Sequence, residues 1–347
     1  MITLKELAAR CNVSIATVSN ILNGKTNVSE ATKQKVLQAI KETGYRPSYI
    51  ARSLRASKTK TIGLIIDELS AFSSPALIEG VLTYLESKNY KAIIETLRLY
   101  SKWGNQPYTE DYKNVVMASV NEMLSIKVDG IIYVAAHAHD VDYFPTDHPV
   151  PIVISYAFQS SSRIPSLRID DETAGYDMTK YLISKGHKKI AIIAGEEQDL
   201  HGHDRLVGFE RAMKEAGLSV DKKLFEAGKW SRGNGYLACQ KLFEKSNDFT
   251  AIFCFNDLMA AGCYDYLYEI GKVPGKDIAV AGFDNREIAD FLTPPLTTMA
   301  SPLYEIGGAA AYVLLQKING ADAEYENHDE RLPCRLIERK SVNTCGK

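Results

Sequence analysis

The chain has 347 residues, of which 45% are hydrophobic and 24% are charged, and its formal net charge is −2. This length predicts two or three domains, and the composition is that of an ordinary globular protein. No stretch approaches the roughly 20 apolar residues of a membrane span, and the first ten residues lack the apolar core of a secretory signal. We therefore expect a cytoplasmic protein without a membrane partner.

The charge is divided unevenly along the chain. Residues 1–60 contain eleven Lys or Arg against three Asp or Glu, a balance of +8, whereas residues 61–347 have a balance of −10. A basic N-terminal segment indicates a partner with a phosphate backbone, such as DNA in the nucleoid. A solvated basic surface is the alternative that charge alone leaves open.

Three short helices are predicted in this basic head. The first begins after Thr3, the second begins after Ser14 and ends at Gly24, and the third covers 30–45. The inward-facing stripes are Val18, Ile21 and Leu22 on the second helix and Val36, Leu37 and Ile40 on the third. The outer face of the second helix carries short, uncharged side chains, which can approach base edges in the major groove. Residues 1–46 are thus predicted to be an all-α helix-turn-helix domain, with a helical bundle that binds no DNA as the alternative.

Residues 47–60 are predicted to be a hinge segment. They follow the end of the third helix and contain four basic residues and one large apolar residue that is expected to be exposed, Leu54. Such a segment can order on DNA and insert its leucine between base steps in the minor groove. A flexible linker is the other reading, and the two are compatible.

Residues 61–347 alternate short apolar runs with amphipathic helices. The runs predicted to be strands are TIGLII, KAIIE, GIIYVA, PIVIS, KIAIIAG, TAIFCFN and IAVAGFD. This alternation predicts an α/β fold of two doubly wound parallel-sheet lobes, with a ligand cleft at the C-terminal ends of the strands. We place the first lobe at about 61–162 and 292–323, and the second at about 163–291 and 324–347.

These motifs, in this order, resemble the LacI/GalR family of bacterial transcriptional regulators. The similarity runs from TLKELAARCNVSIATVSNILNG through YLISKGHKKIAIIAG, AIFCFNDLMAAG and IAVAGFDN to PPLTTM, and it covers essentially the whole chain. The resemblance implies a helix-turn-helix head, a hinge helix and effector-binding lobes of periplasmic-binding-protein type. It also implies a homodimeric repressor that binds a pseudo-palindromic DNA operator under the control of a small-molecule effector.

Specific DNA contacts can be predicted on the head. We expect Ile15, Ala16 and Asn20 to select bases, and Thr17, Ser19 and Asn23 to hold phosphates. Asn20 departs from the Arg that many relatives carry and favours adenine. Ala51 would allow paired hinge helices to approach closely. The predicted DNA-contacting set is completed by Thr3, Ser14, Asn27, Ser29, Thr32, Tyr45, Arg52 and Leu54.

Polar and aromatic side chains that follow the strands predict a sugar site. Arg205, Trp230, Asn256 and Asp284 form a suitable set, because an indole covers the apolar face of a sugar while polar groups bind its hydroxyls. The resemblance also assigns these four residues to effector contact. The first lobe departs from the family pattern after its first strand, where serines replace aromatic residues. We therefore add Phe72, Ser73 and Tyr156 to the predicted effector site.

Neither an enzyme nor a cofactor is predicted. The sequence contains no nucleophile elbow, P-loop or dinucleotide-binding glycine pattern. HAHD (137–140) and HGHD (201–204) suggest a metal, but no further ligand at suitable spacing completes either set. The polar C-terminal tail lacks leucine heptads, which favours a dimer over a tetramer.

Three alternatives remain for the function. The effector could be a purine or a phosphosugar that acts as corepressor, or control could come from a partner protein. A solute-binding protein is the alternative of another class, and the basic head argues against it. The identity of the effector and the direction of its action are not readable from one sequence.

Overall fold

The structure, a computed structural model, describes residues 2–22, 28–45, 58–103, 110–144, 148–160, 164–196, 199–321, 325 and 328–346. The chain divides into two compact units, Met1–Thr59 and Lys60–Lys347. Within the described ranges, no helix combines the length and the apolar content that crossing a membrane requires. The predicted DNA contacts Asn23, Asn27, Ala51, Arg52 and Leu54 lie outside the described residues.

The first unit contains the three predicted helices, α1 (Leu4–Arg10), α2 (Ile15–Leu22) and α3 (Glu30–Thr43). Each begins at a predicted or recognisable polar cap. The Thr3 side chain accepts the amide N–H of Glu6 at 3.2 Å, and Ser14 Oγ accepts the amide N–H of Thr17 at 3.0 Å. Such caps satisfy amide groups that have no partner within the helix. The predicted starts of α1 and α2 are therefore confirmed.

One residue of the predicted inward-facing stripes is not part of the core of this unit. Val18, Ile21 and Val36 are buried as predicted, together with Leu7 and Ala39. The Leu37 side chain is instead 42% exposed. With 3.6 residues per turn, the face that begins at Val36 returns at Ala39 and Ile40, so Leu37 falls beside the buried stripe.

The first lobe of the second unit is built on a parallel six-stranded sheet. Its strands are β1 (Thr61–Ile66), β2 (Lys91–Thr96), β3 (Gly130–Val134), β4 (Ile152–Ser155), β5 (Ser166–Ile169) and β11 (Asp329–Leu332), in the order β11-β5-β4-β3-β1-β2. Its helices are α4 (Ser74–Ser87), α5 (Leu99–Trp103), α6 (Glu110–Ser125) and α12 (Leu303–Ile318). Separate buried clusters on α4 and α12 and on α6 cover the two faces of the sheet.

The second lobe is built on another six-stranded sheet. Its strands are β6 (Ile190–Ala194), β7 (Phe225–Ala227), β8 (Ala251–Cys254), β9 (Ala279–Asp284), β10 (Thr297–Ala300) and β12 (Arg335–Ile337), in the order β12-β10-β9-β8-β6-β7. Only β12 runs antiparallel to its neighbour among the described pairings. The helices are α7 (Asp171–Ser184), α8 (Leu200–Glu215), α9 (Arg232–Lys245), α10 (Asp257–Glu269) and the short α11 (Ile288–Phe291). The predicted fold class is confirmed.

The chain crosses between the lobes later than we expected. Because β5 pairs with β4, the first crossing follows Ile169 rather than residue 162. β10 pairs with β9, so the second crossing follows Ala300 rather than residue 291. β11 pairs with β5 and β12 with β10, which moves the third crossing from residue 323 to beyond Leu332. Sheet membership depends on distant pairing partners, and a local hydrophobic pattern does not specify them.

Candidate functional site

A cavity of about 320 Å³ lies between the two lobes, at the C-terminal ends of their strands. Its walls include segments that follow β1, β3 and β4 in the first lobe and β6, β8 and β9 in the second. All seven predicted effector residues line it: Phe72, Ser73, Tyr156, Arg205, Trp230, Asn256 and Asp284. The structure thus brings the whole predicted set together, and its role in holding an effector remains a prediction.

Several residues of the cavity wall adopt left-handed backbone conformations. The φ angles of Tyr156, Trp230 and Asp284 are 71°, 61° and 99°. Residues with side chains rarely adopt such angles, and they persist only where the surroundings hold them. Their concentration at the ends of strands, beside one cavity, is typical of a ligand site.

Arg205 is the most deeply fixed residue of the site. Its side chain is buried, its Nε donates to Asp171 Oδ1 at 2.8 Å, and its Nη1 donates to the carbonyl oxygen of Phe255. Its Nη2 lies 4.0 Å from Asp284 Oδ1, and the guanidinium carbon lies 3.4 Å from the centre of the Phe283 ring. These contacts hold the guanidinium in one orientation against the cavity.

A close approach of α7 and α8 places Asp171 beside Arg205. A Cβ added at Gly175 would overlap the backbone of Arg205, and one added at Gly208 would overlap the backbone of Glu172. Glycine at both positions therefore allows the two helices to touch. As a result, the first residue of α7 reaches the side chains on the first turns of α8.

The other oxygen of Asp171 binds a residue that was not in the predicted set. His201 Nδ1 lies 2.6 Å from Asp171 Oδ2. Burial opposes a charge on each group, but their interaction lowers the pKa of Asp171 and raises the pKa of His201. Asp171 therefore links His201 to Arg205 behind the cavity wall.

Two neighbouring carboxyl groups of the second lobe have raised pKa values. Burial raises the pKa of Asp284 to about 6, against the opposing effect of Arg205. Burial and the nearby Asp284 raise the pKa of Asp257 to about 8, although Thr298 Oγ1 and the amide N–H of Arg286 both donate to it. Such perturbed groups are common at functional sites.

Aromatic rings supply flat surfaces on both sides of the cavity. The Trp230 indole packs against Gly195, where any Cβ would overlap the ring. Asn256 holds this segment in place, since its Nδ2 donates to the carbonyl oxygen of Trp230 at 3.1 Å. In the first lobe, the Phe72 ring lies 4.3 Å from the guanidinium carbon of Arg286 in the second lobe. The wall thus combines rings with hydrogen-bonding groups.

Sequence reasoning did not assign several titratable residues of the cavity to the effector site. They are Glu68, His137, Glu196, Asp199, His201, Lys229 and Arg286. Glu68 accepts hydrogen bonds from Ser70 and Ser101; burial would raise its pKa, but these bonds lower it. Glu68 and Arg286 each follow a predicted strand by two residues, and this position was the available signal.

The two histidine motifs supply His137 and His201, one from each lobe, to the cavity wall. Among the described residues, no group of three or more His, Cys, Asp or Glu side chains is arranged to hold a metal ion.

The predicted base-reading residues lie on the outer side of α2. Ile15 is 39% exposed, Ala16 is also exposed, and Asn20 is half-buried. Some predicted DNA contacts also serve as helix caps. Ser14 Oγ lies 2.8 Å from Thr17 Oγ1, Ser29 Oγ lies 2.8 Å from Thr32 Oγ1, and Thr3 belongs to the cap of α1. Ser19 and Tyr45 are half-buried. These positions stay predictions as DNA contacts.

Comparison with known proteins gives two matches to family models. Residues 3–48 match the model described as bacterial regulatory proteins, lacI family, and residues 179–342 match a periplasmic binding protein-like domain. Over 349 residues, the chain is 33% identical to the HTH-type transcriptional repressor PurR of Vibrio atlanticus (strain LGP32), covering 99% of both chains.

Two solved structures have the same architecture. The transcriptional regulator CelR in complex with cellobiose is 27% identical, with a TM-score of 0.65 over 98% of this chain and all of that one. The lac repressor dimer bound to operator and the anti-inducer ONPF is 23% identical, with a TM-score of 0.83 over 99% of each chain, and supports the fold. From its full-length similarity to PurR and its head, the chain belongs to the lacI family of bacterial regulatory proteins, which are DNA-binding transcriptional regulators.

Proposed function

We propose that this chain is a dimeric transcriptional repressor whose affinity for DNA is controlled by a neutral mono- or disaccharide bound between its lobes. The observation that carries the proposal is the cavity wall, which presents Trp230 and Phe72 beside Arg205, Asn256 and Asp284. Rings can cover the apolar face of a sugar, while amide, carboxylate and guanidinium groups can bind its hydroxyls.

The charges of the cavity favour a neutral ligand over a phosphorylated one. Its lining contains four carboxyl residues and three Arg or Lys residues. Arg205 is already bound to Asp171 and to a backbone carbonyl. A site for a phosphate usually offers a surplus of cationic or amide N–H groups. The cellobiose complex of CelR adds support, because that regulator has the same architecture.

The head supplies the DNA-binding part of the proposal. α2 exposes Ile15 and Ala16 and carries Asn20 on its outer side, as a helix that reads a major groove requires. The lac repressor structure is a dimer on its operator, and a two-fold dimer fits a pseudo-palindromic site. The proposal includes a cytoplasmic location, where bacterial DNA lies, and no catalytic activity.

A ligand screen tests the proposal. The preferred DNA is first selected from a pool of random duplexes, and the full chain is then heated with glucose, galactose or cellobiose, with glucose 6-phosphate and guanine as controls. We expect a neutral sugar to raise the melting temperature and to change the affinity for the selected DNA. Trp230→Leu should abolish this response and retain DNA binding without the sugar.

Two outcomes would contradict the proposal. A response to guanine or glucose 6-phosphate alone would replace the neutral sugar with that class of corepressor. If no compound produced a response while the chain still bound its selected DNA, the alternative that a partner protein controls DNA binding would be favoured.

A further inference from the structure

His201 bridges the two lobes. It lies on the first turn of α8 in the second lobe, and its Nε2 accepts the amide N–H of Ala138 from the first lobe at 3.2 Å. Its ring also lies 4.9 Å from the ring of Tyr156, another first-lobe residue, at a tilt of 34°. One imidazole therefore makes both a polar and an aromatic contact across the cleft.

The Ala138 amide is held by a fixed loop. Asp67, at the end of β1, accepts the amide N–H of Ala136 at 3.1 Å, while Ser73 Oγ donates to the carbonyl oxygen of Ala136 at 3.4 Å. The Nδ1 atom of His139 lies 2.8 Å from the carbonyl oxygen of His137. These bonds on both sides of Ala138 fix the direction of its N–H group.

The two nitrogens of His201 have separate tasks. An amide N–H that points at Nε2 requires a lone pair there, so the ring that makes this contact is neutral and carries its proton on Nδ1, which faces Asp171 Oδ2 at 2.6 Å. Because Asp171, against the effect of burial, raises the pKa of His201, the contact belongs to pH values above that pKa, and protonation of Nε2 breaks it. The second oxygen of Asp171 accepts from Arg205 Nε at 2.8 Å. A continuous path of hydrogen bonds thus leads from the first-lobe backbone to the guanidinium in the cavity.

We propose that His201 is a positioning residue that closes the cleft, with its Nε2 acting as a latch on the Ala138 amide. Through Asp171, the latch is coupled to Arg205, so that a ligand bound to Arg205 acts on the same set of bonds that holds the lobes together. This assignment rests on the proposed function for its ligand, but the latch itself exists without one.

Two amide substitutions at His201 test the roles of Nε2 and Nδ1 separately. The amide of Gln reaches the position of Nε2 and can accept from Ala138, whereas the amide of Asn reaches the position of Nδ1 and can donate only to Asp171. Both variants lose the ring contact with Tyr156. His201→Gln should therefore keep the latch, and His201→Asn should lose it.

Opening is measured on the full chain without ligand. The chain has two tryptophans, so Trp103→Phe leaves Trp230, which lines the cavity, as the only indole of the protein. We expect His201→Asn to make acrylamide quenching of Trp230 steeper and to make exchange of the Ala138 amide hydrogen about tenfold faster. His201→Gln should match the parent in both measurements.

If the Gln variant showed the steeper quenching and faster exchange while the Asn variant matched the parent, the proposed latch would be wrong. His201 would then act only by orienting Asp171. Equal values for both variants and the parent would also overturn the proposed latch. A lower melting temperature of the Asn variant would not by itself produce the expected quenching, because quenching is measured well below the temperature at which the protein unfolds. If the latch is found and no sugar binds, only the proposed effector class fails.

Discussion

At the scale of single residues, Asp284 is the group that we expect to set the pH dependence of ligand binding. Burial raises its pKa to about 6. An ionised carboxylate accepts hydrogen bonds from sugar hydroxyls at both oxygens, whereas the protonated group has one acceptor fewer. The affinity for a sugar should therefore fall roughly tenfold as the pH decreases from about 7.5 to about 5, as measured by titration calorimetry.

Asp284→Asn is the control for this pH dependence, because an amide of the same shape does not titrate. We expect it to bind the sugar more weakly at pH 7.5 and to flatten the profile. A profile that keeps its slope in this variant would assign the titration to His137 or His201, which also line the cavity.

Site residues could be predicted from the sequence where a polar or aromatic residue stands at the end of a recognisable strand. Asn256 and Asp284 lie at the ends of predicted strands whose apolar runs are plain, and the C-terminal ends of parallel strands meet at one edge. Trp230 follows the short strand β7, which was not predicted, and its signal was the residue type together with the family resemblance. His201 was visible in HGHD but suggested a metal, because its real partners, Asp171 and Ala138, are 30 and 63 residues away along the chain. Contacts across two lobes depend on how the lobes close, and no local pattern encodes that.

At the scale of elements, the packing of α7 on α8 is expected to be intolerant of a methyl group. Gly175→Ala places a Cβ on the backbone of Arg205, and the helices must separate. We expect the free energy of unfolding to fall by about 1–3 kcal/mol and sugar affinity to fall as well, because Asp171 moves away from Arg205. Urea denaturation and calorimetry measure the two effects.

Gly233→Ala is the matched control. Gly233 also lies in a helix, α9, but a Cβ there would meet no atom within 4 Å. Alanine favours helix by up to about 1 kcal/mol over glycine, so this variant should be as stable as the parent or more stable. Equal unfolding midpoints for the two variants would contradict this prediction, because they would show that α7 and α8 accept the added methyl group without a loss in the free energy of unfolding.

Strands with a continuous apolar run could be predicted from the sequence, whereas strands without such a run could not. Seven strands were predicted at their observed places: β1, β2, β3, β4, β6, β8 and β9. All of these are buried except β2, whose Ile93 and Ile94 are exposed. The described strands β5, β7, β10, β11 and β12 were not predicted. β11, with the sequence DERL, lacks an apolar run, because three of its four residues are exposed and charged. This strand is held by its pairing with β5 and by the ion pair of Arg168 with Asp329. The shift of the third lobe crossing follows from this pairing.

At the scale of the whole molecule, the positive charge excess and the cavity lie in different compact units. Residues 1–60 have a charge balance of +8, whereas residues 61–347 have a balance of −10. An acidic body is repelled by phosphates, so DNA is expected to approach the head alone. Every residue that lines the cavity belongs to the second unit, from Glu68 to Arg286.

This division predicts that the second unit binds its ligand without the head. A chain of residues 60–347 should show the same sugar-induced rise in melting temperature as the full chain, because both sheets and the complete cavity wall are retained. Its affinity for the selected DNA should be lost, including the salt-dependent affinity for random DNA.

The full chain, measured in parallel at two salt concentrations, shows whether the head provides the phosphate contacts. If the shortened chain still bound DNA, the acidic body would have to contain a second basic surface. If it lost the sugar response while keeping its melting temperature, residues 1–59 would contribute to the effector site, and the independence of the two units would be wrong.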